Sequence, residues 1–415
     1  MVKYLSRLGL VFALSVKLVS AGDITIHEII HHALTHHPDA EIADATVSAA
    51  EGSRLSGLSF SSPVIALEYE GIAEGSALQD YEERRLTISQ ELDFPLHILW
   101  NSGIQNAVVD RARAESVAHL LDLEREVRLA YLAAWSAQNR VKIQEENAHH
   151  LESYASKIER MQELGEASVL EARSARVEAI LAKNDFDAAK RDAAVSMKNL
   201  QNLAGIDVQS AVLSSPLTSM GEILNSHELD SFASNPEAQE LQAEIRAAKY
   251  ENLIALTGWL PELELAYFQQ DIPVEENSNF WGIEVGFSVP LWFWWGGRGE
   301  IQTTRAQKRI MENELRAFEI DFASQWNEAE ESYQAANEMH QIYNEQLIPL
   351  ARETAQLAEK SYSLGEATYL EVLQALGNFN RIRLEHLESE VELYRISSEI
   401  DRLLGKSIAS TENAP

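Results

Sequence analysis

The sequence contains no cysteine among its 415 residues. This absence excludes disulfide bonds, thiolate metal sites and cysteine nucleophiles. Basic residues are also scarce, because 34 Lys and Arg stand against 65 Asp and Glu, which gives a formal net charge of −31. Nucleic acids are bound by basic faces, so this charge argues against a nucleic-acid partner. An acidic surface instead attracts cations and repels anions.

The chain also lacks an apolar run of about 18 residues, so the sequence predicts no transmembrane helix. The apolar run near the N-terminus is shorter than this, follows Lys3 and Arg7, and is interrupted by Lys17. It ends in small residues at Ala21. This pattern predicts a secretory signal peptide over residues 1–21.

The sequence repeats itself at long range. LGEASVLEARS at 164–174 has a close counterpart, LGEATYLEVLQ, at 364–374. HPDAEI and NPEAQE form a second such pair, and PVIALEYE and PELELAYF form a third. This self-similarity predicts a tandem pair of supersecondary units, with repeat one at 22–215, repeat two at 216–405 and a C-terminal tail at 406–415.

Each repeat is expected to contain a helix, a β-hairpin and a long helical hairpin. The β-hairpins are predicted at 62–95 and 261–290, and the helical hairpins at 101–204 and 299–404. Pro349 is expected to kink or divide the long helix of the second copy. Apolar residues of the first long helix step by three and four, as in a coiled coil. They are Leu120, Leu123, Val127, Ala130, Ala134, Ala137 and Val141.

The repeated phrase predicts the tip of each helical hairpin. Gly165 and Gly365 stand where one helix must end and the chain must reverse, a position suited to a left-handed C-terminal cap. Ser168 and Thr368 follow as N-caps of the returning helices. A glutamate three residues further on would complete a capping box in each hairpin. These glutamates are Glu171 and Glu371.

Four segments alternate between apolar and polar residues with the period of a β-strand, at about 9–11 residues each, which is long enough to cross a bilayer at a tilt. A soluble sheet alternates in the same way. Four strands are too few to close a barrel, and an open edge in lipid leaves backbone groups without partners. If the strands span a membrane, several chains must share one barrel. The polar faces would then line its lumen with Glu68, Glu70, Glu91, Asp93, Glu262, Glu264 and Glu284.

Five tryptophans lie at the strand ends that meet the helices. Such a cluster is typical of the aromatic girdle at a membrane interface. The alternative interpretation is a core between the sheet and the helices. The five residues are Trp100, Trp259, Trp292, Trp294 and Trp295.

The tandem plan, the N-P and H-P pairs that open helices, and YSLGEATYLEVLQA after a helical proline resemble the TolC family of outer-membrane efflux proteins. QELDFPL and SVPLWFWWGGRGEIQ are most similar to its heavy-metal, cobalt-zinc-cadmium branch. The resemblance implies a mostly α-helical chain with a small β portion. It further implies a homotrimer in which three chains share a transmembrane β-barrel, with four strands per chain, and a long α-helical coiled-coil barrel that extends into the periplasm.

The resemblance also implies roles for the tips. Such ducts sit in outer-membrane lipid and dock on a periplasmic adaptor, or membrane fusion protein. The adaptor in turn joins an inner-membrane pump, here expected to be of the resistance-nodulation-division type. Glu171 and Glu371 match positions where the family constricts its tunnel, although a plain capping box explains them equally well. The residues that would contact the adaptor are Gly165, Glu166, Gly365 and Glu366.

A histidine-rich segment contains the H-E-x-x-H pattern of zinc proteases, with Glu28 as the base. Leu34 replaces the glycine of the extended motif, and no domain precedes the segment to form a cleft. A surface metal site and the polar face of an amphipathic helix remain as alternatives. The histidines concerned are His27, His31, His32, His36 and His37.

The sequence thus favours a passive exit duct without enzymatic activity or cofactor, located in the outer membrane and used for heavy-metal cations. A duct of the same fold for drugs or for type I secretion is one alternative. A soluble periplasmic coiled-coil adaptor or scaffold is another, from a different class. The adaptor would share the signal peptide and the helical hairpins, but it would not need four strands with lipid-compatible faces.

Overall fold

A computed structural model describes residues 23–72, 74–75, 77, 81–208, 211–215, 232–272 and 279–407. The predicted signal peptide, the start of repeat two at 216 and all but two residues of the 406–415 tail lie outside these residues. Within them the chain is mostly helical with a small β portion, as predicted. None of the described helices combines enough length with enough apolar composition to cross a bilayer.

The first half of the chain forms short elements and then two long helices. In chain order these are β1 (Asp23–Ile24), α1 (Ile26–His36), α2 (Pro38–Gly57), β2 (Val64–Glu70), β3 (Glu83–Leu92), α3 (Pro95–Glu163), α4 (Val169–Ala204) and β4 (Val212–Leu213). The second half continues with α5 (Pro236–Leu256), β5 (Glu262–Asp271), β6 (Asn279–Ser288), α6 (Phe293–Ile342), a π-helix (Tyr343–Leu347), α7 (Ile348–Ser363) and α8 (Tyr369–Leu403).

Two compact units are assembled from interleaved segments of the chain. The first unit takes Met1–His37, Glu126–Thr218 and Ala336–Arg395, and the second takes Pro38–Arg125, Ser219–Ala335 and Ile396–Pro415. The long helices α3, α6 and α8 therefore contribute residues to both units. The bounds of these units do not coincide with those of the two sequence repeats. The division into repeats one and two stays a prediction.

In the first unit, α1 packs through an apolar stripe and the pair β1–β4 is tied to α3. Ile29 and Ile30 of α1 are fully buried, as the helical spacing predicted. The hydroxyl of Tyr131, itself fully buried, lies 2.7 Å from the carbonyl oxygen of Ser214 and 3.1 Å from that of Ile24. Because these two carbonyls belong to the chain around β4 and β1, Tyr131 holds both short strands against α3.

The second unit contains the four-stranded sheet and the helices that adjoin it. Asn235 caps α5, since its side-chain oxygen accepts hydrogen bonds from the N–H groups of Glu237 and Ala238 at 2.9 and 3.2 Å. Its side-chain amide donates to the carbonyl oxygen of Leu403 at 3.2 Å.

Gly103 approaches the ring of Tyr250 so closely that a Cβ there would lie 2.6 Å from a ring carbon. A side chain at position 103 would therefore separate α3 from α5.

Near Pro349, where the sequence predicts a kink or a division, the second long helix contains a π-helical turn and its backbone stays helical on both sides. The π-helix Tyr343–Leu347 ends α6, and Pro349 occupies the first turn of α7, where a missing N–H is tolerated. The predicted apolar stripe of the first long helix has no exposed member. Leu123, Val127 and Ala134 are buried, and the other four positions are half-buried.

Candidate functional site: a two-faced sheet and paired helical tips

The four strands form one antiparallel sheet in the order β2–β3–β5–β6. Its register aligns the apolar residues of all four strands on one face. One row across this face runs from Ile65 through Ile88 and Tyr267 to Ile283. Each apolar residue thus meets apolar neighbours on the next strand, which is the arrangement that stabilises a sheet face.

This apolar face is not covered by any part of the chain that the structure describes. The exposed fractions of Ile65 and Ile283 are 68% and 69%, and those of Leu67 and Val285 are both 55%. Strands β2 and β6 are the outer strands, and neither has a second strand partner among the described residues. A sheet that exposes both an apolar face and two hydrogen-bonding edges presents surfaces that natural proteins normally cover.

The opposite face of the sheet carries the predicted lumen acids. Glu91 and Glu264 are directly paired in the register of β3 and β5, and Asp93 is the residue that directly follows β3. All seven predicted acids are exposed. The structure therefore collects these carboxylates on one side of one sheet, although the sequence alone left the alignment of the four strands open.

The predicted tryptophans lie where the strands meet the helices, and they do not form a core there. Trp259 is 51% exposed, and Trp292, Trp294 and Trp295 are 68–83% exposed, while Trp100 is half-buried beside His97. For the four tryptophans other than Trp100, the interpretation as a core between sheet and helices is wrong, because their rings face solvent in the single chain.

A second group of aromatic residues, Tyr69, Tyr81 and Trp281, lies toward the other ends of the strands, and sequence analysis missed it as a group. The rings of Tyr69 and Tyr81 are 5.4 Å apart, and those of Tyr267 and Trp281 are 6.2 Å apart. The sequence contained a signal for this group, because Tyr69 is the next-to-last residue of β2 and Trp281 is the third residue of β6. Only the register shows that these ends are neighbours.

Both helical tips have the predicted geometry. Gly165 and Gly365 adopt φ values of 78° and 76°, in the left-handed region. The following N–H groups, of Glu166 and Glu366, donate back to the last turn at 2.8 and 2.9 Å. These bonds satisfy carbonyl groups that the end of a helix would otherwise leave unpaired.

The predicted capping boxes are also confirmed. In each, the glutamate accepts from the N-cap N–H at 2.7 Å, and its own N–H donates to the N-cap hydroxyl at 3.2 Å in the first box and 3.4 Å in the second. The N–H and hydroxyl of Thr368 lower the pKa of Glu371, since both groups stabilise its carboxylate. Glu371 is therefore charged at neutral pH, whether or not it has a further role.

The two tips share an aromatic cluster that sequence analysis did not identify. Tyr154 of α3 stacks on Tyr369 of α8 at 6.3 Å and meets Tyr362 of α7 edge-on at 6.2 Å. Within the described chain, the hydroxyls of Tyr154 and Tyr369 are buried without a hydrogen-bond partner. Burial raises the pKa of Tyr369 to about 12. Leu164 and Leu364, by contrast, are 74% and 65% exposed at the turns.

Comparison with known proteins places these features in a known fold. Residues 230–406 match the family described as outer membrane efflux protein. The solved structure of CusC aligns with a TM-score of 0.77 and 17% sequence identity over 93% of each chain. VceC of Vibrio cholerae aligns with a TM-score of 0.76 and 16% identity over 92% of this chain and 96% of that chain.

MtrE of Neisseria gonorrhoeae, in its open state, aligns with a TM-score of 0.74 and 12% identity over 92% of this chain and 89% of that chain. The chain has the fold of outer-membrane efflux channels. No curated protein sequence gives a significant match.

In the histidine-rich segment, the hypothetical catalytic base is engaged in a helix cap. Glu28, the base of the hypothetical zinc protease, accepts hydrogen bonds from the N–H and hydroxyl of Thr25 at 2.9 and 3.1 Å. His32 stacks on His36 at 4.3 Å, and its Nδ1 lies 2.9 Å from the carbonyl oxygen of Ala204. Over the described residues, no three His, Asp or Glu side chains are grouped so that they could hold a metal ion. Four of the five histidines lie on the amphipathic helix α1, and His37 is its C-cap residue.

Proposed function

We propose that the protein is the outer-membrane channel of a tripartite efflux system, a passive exit duct assembled from three copies of this chain. The observation that carries the proposal is the four-stranded sheet with an exposed apolar face and two edges that have no strand partner among the described residues. In lipid, each unpaired backbone group costs several kcal/mol. Three sheets joined edge to edge pair all of these groups and place every apolar face toward lipid.

The dimensions of the sheet support this proposal. Strands β5 and β6 each contain ten residues. At a rise of about 3.4 Å per residue they extend roughly 34 Å, and a tilt of about 45° reduces their height to roughly 24 Å. The apolar band of outer-membrane barrels is about 25 Å tall and has aromatic girdles at both interfaces. Both ends of this sheet carry aromatic residues. The tryptophan group next to the helices would be the periplasmic girdle.

The tips would make the contacts with the rest of the efflux system. We assign Gly165, Glu166, Gly365 and Glu366 to docking on a periplasmic adaptor, which joins the channel to an inner-membrane pump of the resistance-nodulation-division type. Exposed leucines at both turns provide apolar contact area for such a partner. Glu171 and Glu371 would then narrow the tunnel entrance, in addition to capping their helices.

Heavy-metal cations are the proposed cargo class. The support is the acidic polar face of the sheet and the similarity of QELDFPL and SVPLWFWWGGRGEIQ to the heavy-metal branch of the family. Drugs or secreted polypeptides would be carried by the same fold. A deletion strain challenged with zinc, cobalt, cadmium, copper and a drug panel tests the assignment. Sensitivity to metals is expected, and sensitivity to drugs alone would contradict it.

Cell fractionation tests the channel itself against the soluble adaptor alternative. The mature chain is expected in the outer-membrane fraction, and it should migrate as a trimer when cross-linked in mild detergent. Recovery of a monomer from the soluble periplasmic fraction would favour the adaptor. The exposed face that includes Ile65 and Ile283 is the reason for the first expectation, since such a face requires lipid, detergent or a protein cover.

A further inference from the structure

One basic side chain stands on the acidic face of the sheet. Over the four strands as described, the register gives that face seven glutamates and one arginine, Arg85. Arg85 is paired in register with Glu68 on one side and Gln270 on the other. Arg84, the preceding residue, points to the apolar face because side chains alternate along a strand.

Arg85 is held in place by an aromatic ring. Its guanidinium carbon lies 4.2 Å from the centre of the Phe268 ring. That ring lies against Gly282, its register partner on β6, where a Cβ would come within 2.5 Å of the ring. Only glycine leaves space for the ring to lie flat on the neighbouring strand. The Phe268 ring thus lies on the polar face of the sheet, and the guanidinium group of Arg85 packs over it.

The charge of Arg85 is not neutralised by a close ion pair. Within the described chain, the carboxylate of Glu284 is its one acidic partner, at a long 3.7 Å, and the two side chains are 34% and 64% exposed. An exposed pair at this distance contributes little to stability. The need to cover Gly282 explains the position of the Phe268 ring. A ring in that position does not need a cation above it.

We infer that Arg85 weakens the cation selectivity that the glutamates give to the barrel, an inference that rests on the proposed trimeric channel. Three chains would place three guanidinium groups at one level of the lumen. Charged rings of this kind control which ions pass through a pore. The acids on the same face attract cations, whereas the three arginines would oppose them and admit small anions. The wild-type channel should therefore be only moderately cation-selective.

Reversal potentials of the purified protein in planar lipid bilayers, measured across a KCl gradient, test this inference. Arg85→Gln is expected to raise the ratio of potassium to chloride permeability about two-fold or more, because it removes the one positive ring. Arg85→Lys should keep the wild-type ratio. Arg84→Gln is the matched control, since it removes the same charge one residue away on the opposite face, and it should leave the ratio unchanged.

Cysteine chemistry supplies a second, independent measurement because the wild-type chain has no thiol. Arg85→Cys treated with a positively charged thiol reagent should regain the wild-type permeability ratio, and a negatively charged reagent should move the ratio further toward potassium. Arg84→Cys should respond to neither reagent.

The possible outcomes distinguish a failure of the proposed function from a failure of the role assigned to Arg85. Wild-type protein that forms no channels would contradict the proposed function itself. Channels whose selectivity does not change in Arg85→Gln would overturn only the role of Arg85. If both Arg85→Gln and Arg85→Cys fail to assemble while Arg84→Gln assembles, Arg85 is a structural residue and the inference is also wrong.

Discussion

The two long helical hairpins end in the same tip but differ along their length. The first hairpin enters its tip through α3, one unbroken helix of 69 residues. The second reaches its tip through α6, a five-residue π-helix and α7. Position 349 carries proline, whereas the corresponding position 149, 200 residues earlier, carries histidine. The hairpin that carries the proline is thus the one whose long helix includes a π-helical turn.

The tips differ in a second way, in the side chains that join them. The second hairpin supplies Tyr362 and Tyr369, where the first has Gln162 and Val169 at the matching positions. The first hairpin supplies Tyr154, which contacts both tyrosines of the second. The tip cluster is therefore asymmetric, and each hairpin depends on the other for a complete core. A repeated sequence need not produce two self-sufficient units.

The largest effect is expected from moving the proline to the first hairpin. His149→Pro should destabilise the protein by about 3 kcal/mol or more, because α3 has no π-helix there to accommodate the lost hydrogen bond. Urea unfolding of the detergent-solubilised protein, followed by circular dichroism, measures the change. His149→Ala is the control and should change stability by less than about 0.5 kcal/mol, since His149 is exposed. Equal stability of both variants would show that the continuity of α3 is unimportant.

The turn glycines test whether the two tips are equivalent. Gly165→Ala and Gly365→Ala should each cost about 1 kcal/mol, because alanine disfavours a positive φ. No atom of the described residues lies within 4 Å of a Cβ at either position, so the cost is conformational and should be the same in both hairpins. Thermal unfolding of the two single variants and the double variant compares them. If only one of the two variants lost stability, the tip of the other hairpin would have to adopt a different backbone conformation that accommodates alanine.

A smaller, pH-dependent effect is expected at the tyrosine cluster. An unfolded tyrosine has a pKa near 10, and burial raises that of Tyr369 to about 12. Between these values the unfolded chain has lost the proton and the folded chain has kept it, so stability falls as pH rises from about 10 to about 12. Tyr369→Phe should make this fall shallower, as measured by urea unfolding at a series of alkaline pH values.

At neutral pH the same variant should be nearly as stable as the wild type, because the Tyr369 hydroxyl has no hydrogen-bond partner among the described residues. Tyr131→Phe is the matched control and should lose about 1 kcal/mol at neutral pH, since its hydroxyl lies 2.7 Å from the Ser214 carbonyl oxygen. A larger loss in Tyr369→Phe than in Tyr131→Phe would contradict the description of the cluster.

The smallest effect is expected from Pro349→Ala. The π-helix already accommodates the missing N–H group, and proline is well tolerated in the first turn of α7. Stability should change by less than about 1 kcal/mol. Circular dichroism should show no large gain in helix content. A gain of several kcal/mol would mean that the proline, and not the surrounding packing, maintains the π-helical turn.

Local features of the molecule were predictable because short segments determine them. The left-handed glycines, both capping boxes, the apolar stripe of α1 and the helical irregularity near Pro349 follow from residue types within a few positions of each other. The two-faced character of each strand was predictable for the same reason. The resemblance to an efflux family pointed to the fold that the solved structures share.

Features that join distant segments were not predictable from the residues alone. The stack of Tyr154 on Tyr369 joins residues 215 positions apart in the sequence. The Arg85–Phe268–Gly282 group requires the register of three strands from both halves of the chain. Neither feature leaves a periodic signal in the sequence, because each involves one residue per segment. The alternative core interpretation of four of the tryptophans failed for a related reason, since exposure depends on where the surrounding elements lie.

By itself, the sequence determined the long helices, the four strands of the main sheet, the tip geometry and the apolar and polar sides of those strands. These depend on backbone preference and on periodicity, which act within one or two turns of chain. The tertiary structure decided which strand faces coincide, which tyrosines meet and where the single arginine stands among the glutamates. Those choices depend on strand register and on helix packing, in which a shift of one residue would place every side chain differently.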